Sequence, residues 1–200
     1  MERSRVRELH YITDIANVPS ILEHGILSHR LVERLVGPHV TVASPEVQAR
    51  RAGKRVWTGR SARALHDYAN LYLDARNAML YTLLRNRRGD LTVLVIDPQI
   101  LDVAGVLVTD RNAASAARFR PAAEGVEALD EAAVFATWWD EDLDARQRRM
   151  AEVLVPDRVP PELVRRAHVP DQAAMTRLQA QLGGRQLVIR VNRRLFFRST

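Results

Sequence analysis

The sequence predicts an α+β fold built on a mostly antiparallel sheet, and three observations predict it. Short apolar strands alternate with helices at uneven spacing, without the regular strand-helix-strand rhythm of a parallel sheet. At 200 residues and 46% apolar content, the chain can bury one core but is short for two, so residues 1–200 are expected to form a single domain. No repeat, low-complexity tract or linker interrupts it.

Taken in order, LHYI reads as a first strand. ANVPSILEHG reads as a helix, with Asn17 near its cap, Pro19 in its first turn and Gly25 past its end. SPEVQARRAG has the same grammar: Ser44 caps, Pro45 starts and Gly53 stops. Arg50 and Arg51 then fall in the last turn, where cations are favourable against the helix dipole. ANLYL is a strand, RNAMLYTLLRN a helix, and LTVLVI and GVLVT two more strands, followed by an acidic stretch with Trp138 and Trp139. AEVLV and LVRRAHV supply further strands, DQAAMTRLQAQLGG a helix capped by Asp171, and RQLVIRV a last strand. Within AEVLV, alternation sends Val153 and Val155 to one face and Glu152 with Leu154 to the other. A carboxylate beside Leu154 is either a solvated strand end or a placed group.

Composition narrows the function. Without cysteine there is no disulfide framework, no thiolate metal site and no cysteine nucleophile. MERSRVREL lacks the apolar core of a secretory signal and the longest apolar runs fall far short of a membrane span, so a cytoplasmic protein is expected. The net charge of +6 permits a polyanionic partner, and it is unevenly spread. Residues 121–143 carry seven acids and no Lys or Arg, whereas residues 144–200 carry twelve Arg against five acids; Lys54 is the only lysine. No glycine loop of the GxGxxG or GxxxxGK[ST] type is present, and the six histidines have no zinc-ligand spacing. A mechanism without a metal is expected.

Several polar residues stand where a core would be expected to be apolar. His10, Tyr11 and Thr13 lie in the first strand; Arg50 and Arg51 end a helix; LHDYANLY gathers His66, Asp67, Tyr68, Asn70 and Tyr72; and Glu152 opens a strand. Taken singly, each is more simply an amphipathic strand residue, a turn or a solvated edge. Together they share a precedent. HYITDIANVPSILEHGILS, VASPEVQARRAGKRV, LHDYANLYLDARNAMLY, VTDRNAAS and RRMAEVLVPDRVPPELV, in that order, resemble the DarT family of DNA-modifying ADP-ribosyltransferase toxins. LHDYANLYLDARNAML and AEVLVPDRVPPE are long enough to be specific.

The resemblance implies an ADP-ribosyltransferase-like split, mostly antiparallel sheet with surrounding helices, NAD as co-substrate in its cleft, and transfer of ADP-ribose onto a base, thymine or guanine, of single-stranded DNA. It maps the catalytic glutamate to Glu152 and the first arginine of the pair, catalytic or substrate-contacting, to Arg50. It implies NAD contacts from Thr13 and Asn17, and from His10 or Tyr11, since HYIT inverts the order of the family's YHIT element. Tyr68 and Tyr72 are the candidates to stack on nicotinamide or a base, and Arg51, Arg149 and His66 those to contact DNA. A macrodomain antitoxin of the DarG type is the implied partner. The residue types suit the chemistry: a fixed carboxylate stabilises positive charge developing on the ribose and takes the acceptor's proton, and an arginine orients a base or phosphate with a planar fork of donors.

Two other readings stay open on residues alone. One is a non-catalytic single-stranded nucleic-acid-binding protein, with C-terminal arginines on phosphates and Phe196 and Phe197 stacking bases. The other is a metal-free nuclease or RNA-modifying transferase, with His10 and His66 as an acid-base pair.

Overall fold

A computed structural model describes residues 1–36, 39–58, 61–86, 90–137 and 142–197. Trp138 and Trp139 lie outside the described residues. Strands β1 (Leu9–Asp14), β2 (Ile26–Leu27), β3 (Arg55–Thr58), β4 (Ser61–Ala64), β5 (Tyr68–Tyr72) and β6 (Leu91–Ile96) are followed by β7 (Leu107–Thr109), β8 (Phe119–Pro121), β9 (Glu152–Pro156), β10 (Arg158–Val159), β11 (Val164–Val169) and β12 (Val188–Val191). The helices are α1 (Val18–His24), α2 (His29–Leu35), α3 (Pro45–Ala52), α4 (Ala78–Asn86), α5 (Ala122–Glu127), α6 (Glu131–Val134), α7 (Leu143–Arg149) and α8 (Gln172–Leu182).

Eight strands form one sheet in the order β12-β11-β6-β1-β5-β9-β7-β8, and β3-β4 and β2-β10 are separate pairs. Every pairing but one is antiparallel; β12 runs parallel to β11, reached through α8. The expected strands and helices are present. Sequence reading missed α2, the β3-β4 hairpin, the short strands β2, β8 and β10 and the short helices α5–α7.

Alternation along the central strands sorts residues between two faces. Leu9, Leu94, Leu71 and Val153 go to one, where Val18 and Ile21 of α1 and Leu178 of α8 cover them. Ile12, Val93 and Tyr72 go to the other, packed with Leu80 of α4 and Phe196. Burying a leucine such as Leu9 or Leu71, both at 0% exposure, contributes about 2 kcal/mol. Phe196, a candidate base-stacking residue, is therefore core. Asp171 caps α8 as expected, its carboxylate accepting from the Ala174 N–H at 2.8 Å. At the end of α1, Gly25 holds φ 84° and ψ 179°, a conformation essentially restricted to glycine, and a Cβ there would stand 2.2 Å from the Val159 carbonyl oxygen.

One irregularity positions the site. β1 is paired along its whole length with β6, yet its register with β5 holds a single pair, His10 with Tyr72. Beyond that rung the two strands diverge, and the sheet forks.

Candidate active site

The fork is a cleft of about 740 Å³, with β1 on one side, β5 on the other, and α3, α4 and the 39–44 segment around its rim. The rim segment is held by Asn17. Its amide accepts from the Val40 N–H at 3.1 Å and donates to the Val40 carbonyl at 2.7 Å and to Thr13 Oγ1 at 3.1 Å. Asn17 stands at the N-terminus of α1 without a side-chain capping bond. Its carboxamide is spent on a segment 23 residues away, a contact that local sequence does not encode.

Glu152 opens β9 beside Tyr72 of β5 and is fully buried, so it is the placed group, not the solvated one. Its Oε2 accepts from Arg51 Nη1 at 2.9 Å, and its Oε1 from the Ala113 backbone N–H at 3.0 Å. Its own N–H donates to Thr109 Oγ1 at 3.0 Å, and that hydroxyl in turn donates to the Arg111 carbonyl at 2.7 Å. Both carboxylate oxygens are thus satisfied from two different elements. A buried charge requires such pairing, because desolvation alone would cost several kcal/mol.

The arginine that meets the carboxylate is Arg51; Arg50 is exposed. This reverses the expectation for the pair. Successive helix residues point about 100° apart, and in α3 the second of the two turns inward, leaving the first in solvent.

Lys54, just past α3, donates through Nζ to the carbonyls of Ala113, at 2.7 Å, and Ser115. It ties the loop that supplies the Ala113 N–H to the element that supplies Arg51. Burial, then the Arg51 guanidinium, lower the pKa of its amine, against the opposing pull of Glu152. Neither Lys54 nor Ala113 was assigned a role from sequence. A backbone N–H has no side-chain signature, and VTDRNAAS marked the loop without marking the atom.

The remaining candidates divide between the cleft and elsewhere. Tyr11 lines the cleft and His10 does not; His10 Nε2 lies 3.3 Å from Glu8 Oε1. The possible His10–His66 acid-base pair is therefore not brought together. His66 lines the cleft wall, 3.0 Å from Gln48 Oε1 and stacked on His29 at 4.2 Å between ring centroids, and burial followed by His29 lowers its pKa. Tyr68 and Tyr72 both line the cleft. Tyr72 donates its hydroxyl to Met79 Sδ at 3.1 Å, and its phenol pKa is raised by burial and by the Glu152 charge. Arg63 lies over the Tyr68 ring, 5.2 Å from its centroid. Arg149 is not available to DNA. It is buried, donating to Asp74 Oδ2 at 2.9 Å and to the carbonyls of Val134 at 2.6 Å and Arg76 at 3.1 Å.

The chain is similar to known proteins over nearly its whole length. Residues 10–197 match the family model for "ssDNA thymidine ADP-ribosyltransferase, DarT". A DNA ADP-ribosyl transferase–DNA ADP-ribosyl glycohydrolase fusion protein of Thermosipho africanus is 33% identical over 198 residues, covering 96% of this chain; the chain spans 50% of the fusion's length. The solved structure of Thermosipho africanus DarTG in complex with ADP-ribose superposes with a TM-score of 0.82 at 30% identity, over 96% of this chain and 51% of that one. Thermus sp. 2.9 DarT in complex with ADP-ribosylated single-stranded DNA also gives 0.82, at 25% identity, over 96% of this chain and 97% of that one.

Proposed function

The chain belongs to the DarT family, described as single-stranded-DNA thymidine ADP-ribosyltransferases, and from that premise we propose that it transfers ADP-ribose from NAD onto thymidine in single-stranded DNA. The observation that carries the reading is the Arg51–Glu152–Ala113 arrangement beside the fork of a split sheet. The cleft suits NAD: its volume lies within the range of small-molecule sites, with tyrosine rings for a flat heterocycle and a guanidinium for polar oxygens.

Bound NAD supplies a ribosyl group on a leaving nicotinamide. Glu152 provides a fixed negative charge where positive charge develops on that ribose, and its Oε1 is held in place by the Ala113 N–H. Arg51, which lines the cleft and reaches Glu152, orients the acceptor base against the ribose. As the bond from the base nitrogen to the ribose carbon forms and the bond to nicotinamide breaks, Glu152 takes the proton that the base nitrogen loses.

We also infer a cytoplasmic site of action and a macrodomain antitoxin of the DarG type as the partner, since the Thermosipho relative joins its transferase to a DNA ADP-ribosyl glycohydrolase. The test is mass analysis of thymidine-containing oligonucleotides incubated with NAD. Wild type adds one ADP-ribose, and Glu152→Gln loses on the order of a hundredfold or more in rate. Equal rates would move catalysis to another group, and no adduct with wild type would sink the proposal.

A further inference from the structure

The sequence's cationic excess lies in its C-terminal third, but in the fold much of that charge is answered. Arg165 pairs with Asp97, Arg166 with Glu8, Arg177 with Asp90 and Arg185 with Glu23. The stretch from Val47 to His66 is cationic too, and two of its charges are answered from elsewhere in the chain, Arg51 by Glu152 and Arg63 by Asp157 and Asp67. It holds six cations, Arg50, Arg51, Lys54, Arg55, Arg60 and Arg63, and no acid. Half of it is the β3-β4 hairpin, which bears the most exposed aromatic side chain among the described residues, Trp57 at 70%.

The hairpin has two distinct faces. Val56, 1% exposed, turns inward onto Leu65, Tyr68 and Leu154. Arg55 and Trp57 turn outward, and across the strands they face Ala64 and Ala62, whose methyl groups are too small to cover an indole. Arg55 Nη2 donates to the Ala62 carbonyl at 2.8 Å, which lays a guanidinium along the same face. The Trp57 indole therefore stands open beside a guanidinium, an aromatic face next to a cation of the kind on which bases stack.

Its position joins it to the cleft. The chain enters the hairpin from α3, directly after Arg51 and Lys54, and leaves it into Leu65 and His66; Arg51, Leu65 and His66 all line the cleft. The Leu65 N–H donates to the Lys54 carbonyl at 2.9 Å and closes the hairpin's root beside the Glu152 site. Trp57 is three residues beyond that root, about 10 Å along the strand.

We propose that the β3-β4 hairpin is the clamp for the acceptor strand, with a base beyond the immediate neighbours of the modified one stacked on Trp57 and its phosphate held by Arg55. This rests on single-stranded DNA being the acceptor. An open indole takes any base, because every base has a flat face, so the clamp adds affinity and reach without choosing sequence.

The test measures binding and transfer separately for wild type, Trp57→Ala and Trp57→Phe, on oligonucleotides of increasing length around one thymidine. Anisotropy of labelled strands reports binding, and mass gain reports transfer. For wild type, affinity climbs with length until the strand reaches the hairpin. Trp57→Ala loses about tenfold in affinity on long strands and nothing on a trinucleotide, while Trp57→Phe retains most of the gain. A length profile in Trp57→Ala identical to that of wild type overturns the clamp, as does a change confined to self-association, which would make Trp57 a protein contact. The two proposals separate cleanly. Loss of long-strand binding in Trp57→Ala without transfer by wild type would leave the clamp standing and the activity refuted; wild-type transfer with an indifferent Trp57 would do the reverse.

Discussion

Replacing Arg51 by methionine leaves the Glu152 carboxylate buried with one donor where it had two. The side chains of the pair are 6% and 0% exposed, so solvent does not screen the loss. Breaking such a pair from one side typically costs about 3–5 kcal/mol, and the surviving Ala113 N–H bond places Arg51→Met near the lower end. Glu152→Gln removes the charge from the other side. An amide has one acceptor oxygen against two donors, Arg51 Nη1 and the Ala113 N–H, so one is left unmatched at about 1–3 kcal/mol. The double variant, neutral at both positions, should cost less than the sum of the singles by about 0.5–3 kcal/mol. Arg50→Ala, on the exposed side of α3, should stay within about 0.5 kcal/mol of wild type. Urea unfolding of the four variants, compared at unchanged m-value, reads all of this. Additive single costs, or an Arg50 variant less stable than the Arg51 one, would refute the buried pair.

Three further outcomes follow from contacts elsewhere. Lys54→Met frees the Ala113–Ser115 loop and should lower single-turnover transfer by about tenfold to a hundredfold with little change in thermal midpoint; unchanged turnover would remove Lys54 from the positioning of Glu152. Gly25→Ala should cost about 3 kcal/mol or more, because the backbone is strained for any side chain and the blocking atom is a carbonyl that cannot step aside; a smaller loss in chemical unfolding would mean the α1 terminus rearranges. The Glu8 carboxyl, hydrogen-bonded to His10 and beside the Arg166 guanidinium, is pushed down from 4.5 to about 2. Its folded-state pKa is depressed, so its stabilisation is present above about 4.5 and lost as pH falls toward about 2. Glu8→Gln should flatten the stability profile in that window, and an unaltered slope would deny Glu8 this role.

What the sequence disclosed depended on how far apart the interacting residues lie. The face that Glu152 shares with Leu154 followed from two-residue alternation within one strand, and the capping of α8 by Asp171 from a three-residue spacing. Arg50 and Arg51 were narrowed to a pair of which the resemblance picked Arg50, and the inward one is Arg51, since helix grammar fixes the angle between neighbours without fixing which one faces inward. Arg149 resembles a surface cation because its partner, Asp74, is 75 residues away. Asn17 was read as a cap because local rules offer that use first, and Val40 offered another. His10 and Tyr11 were left as alternatives, and only the divergence of β1 from β5 shows Tyr11 at the cleft. The hairpin was overlooked because its outer face carries Arg55, Ala62 and Ala64 in place of the alternating apolar residues that announce a strand.

The single rung between β1 and β5 has a consequence for how this protein tolerates change. In an antiparallel sheet every second residue aims its N–H and C=O at the neighbouring strand, and past His10 and Tyr72 such groups of β1 and β5 have no rung with each other. They are strong, obligatory hydrogen-bonding groups, and no substitution other than proline removes a donor from among them. A ligand seated there would meet main chain as well as side chains, as an inserted strand would. Side chains around the fork can then drift while its polar edges persist, a kind of robustness that an alanine scan of the cleft would pass over in silence.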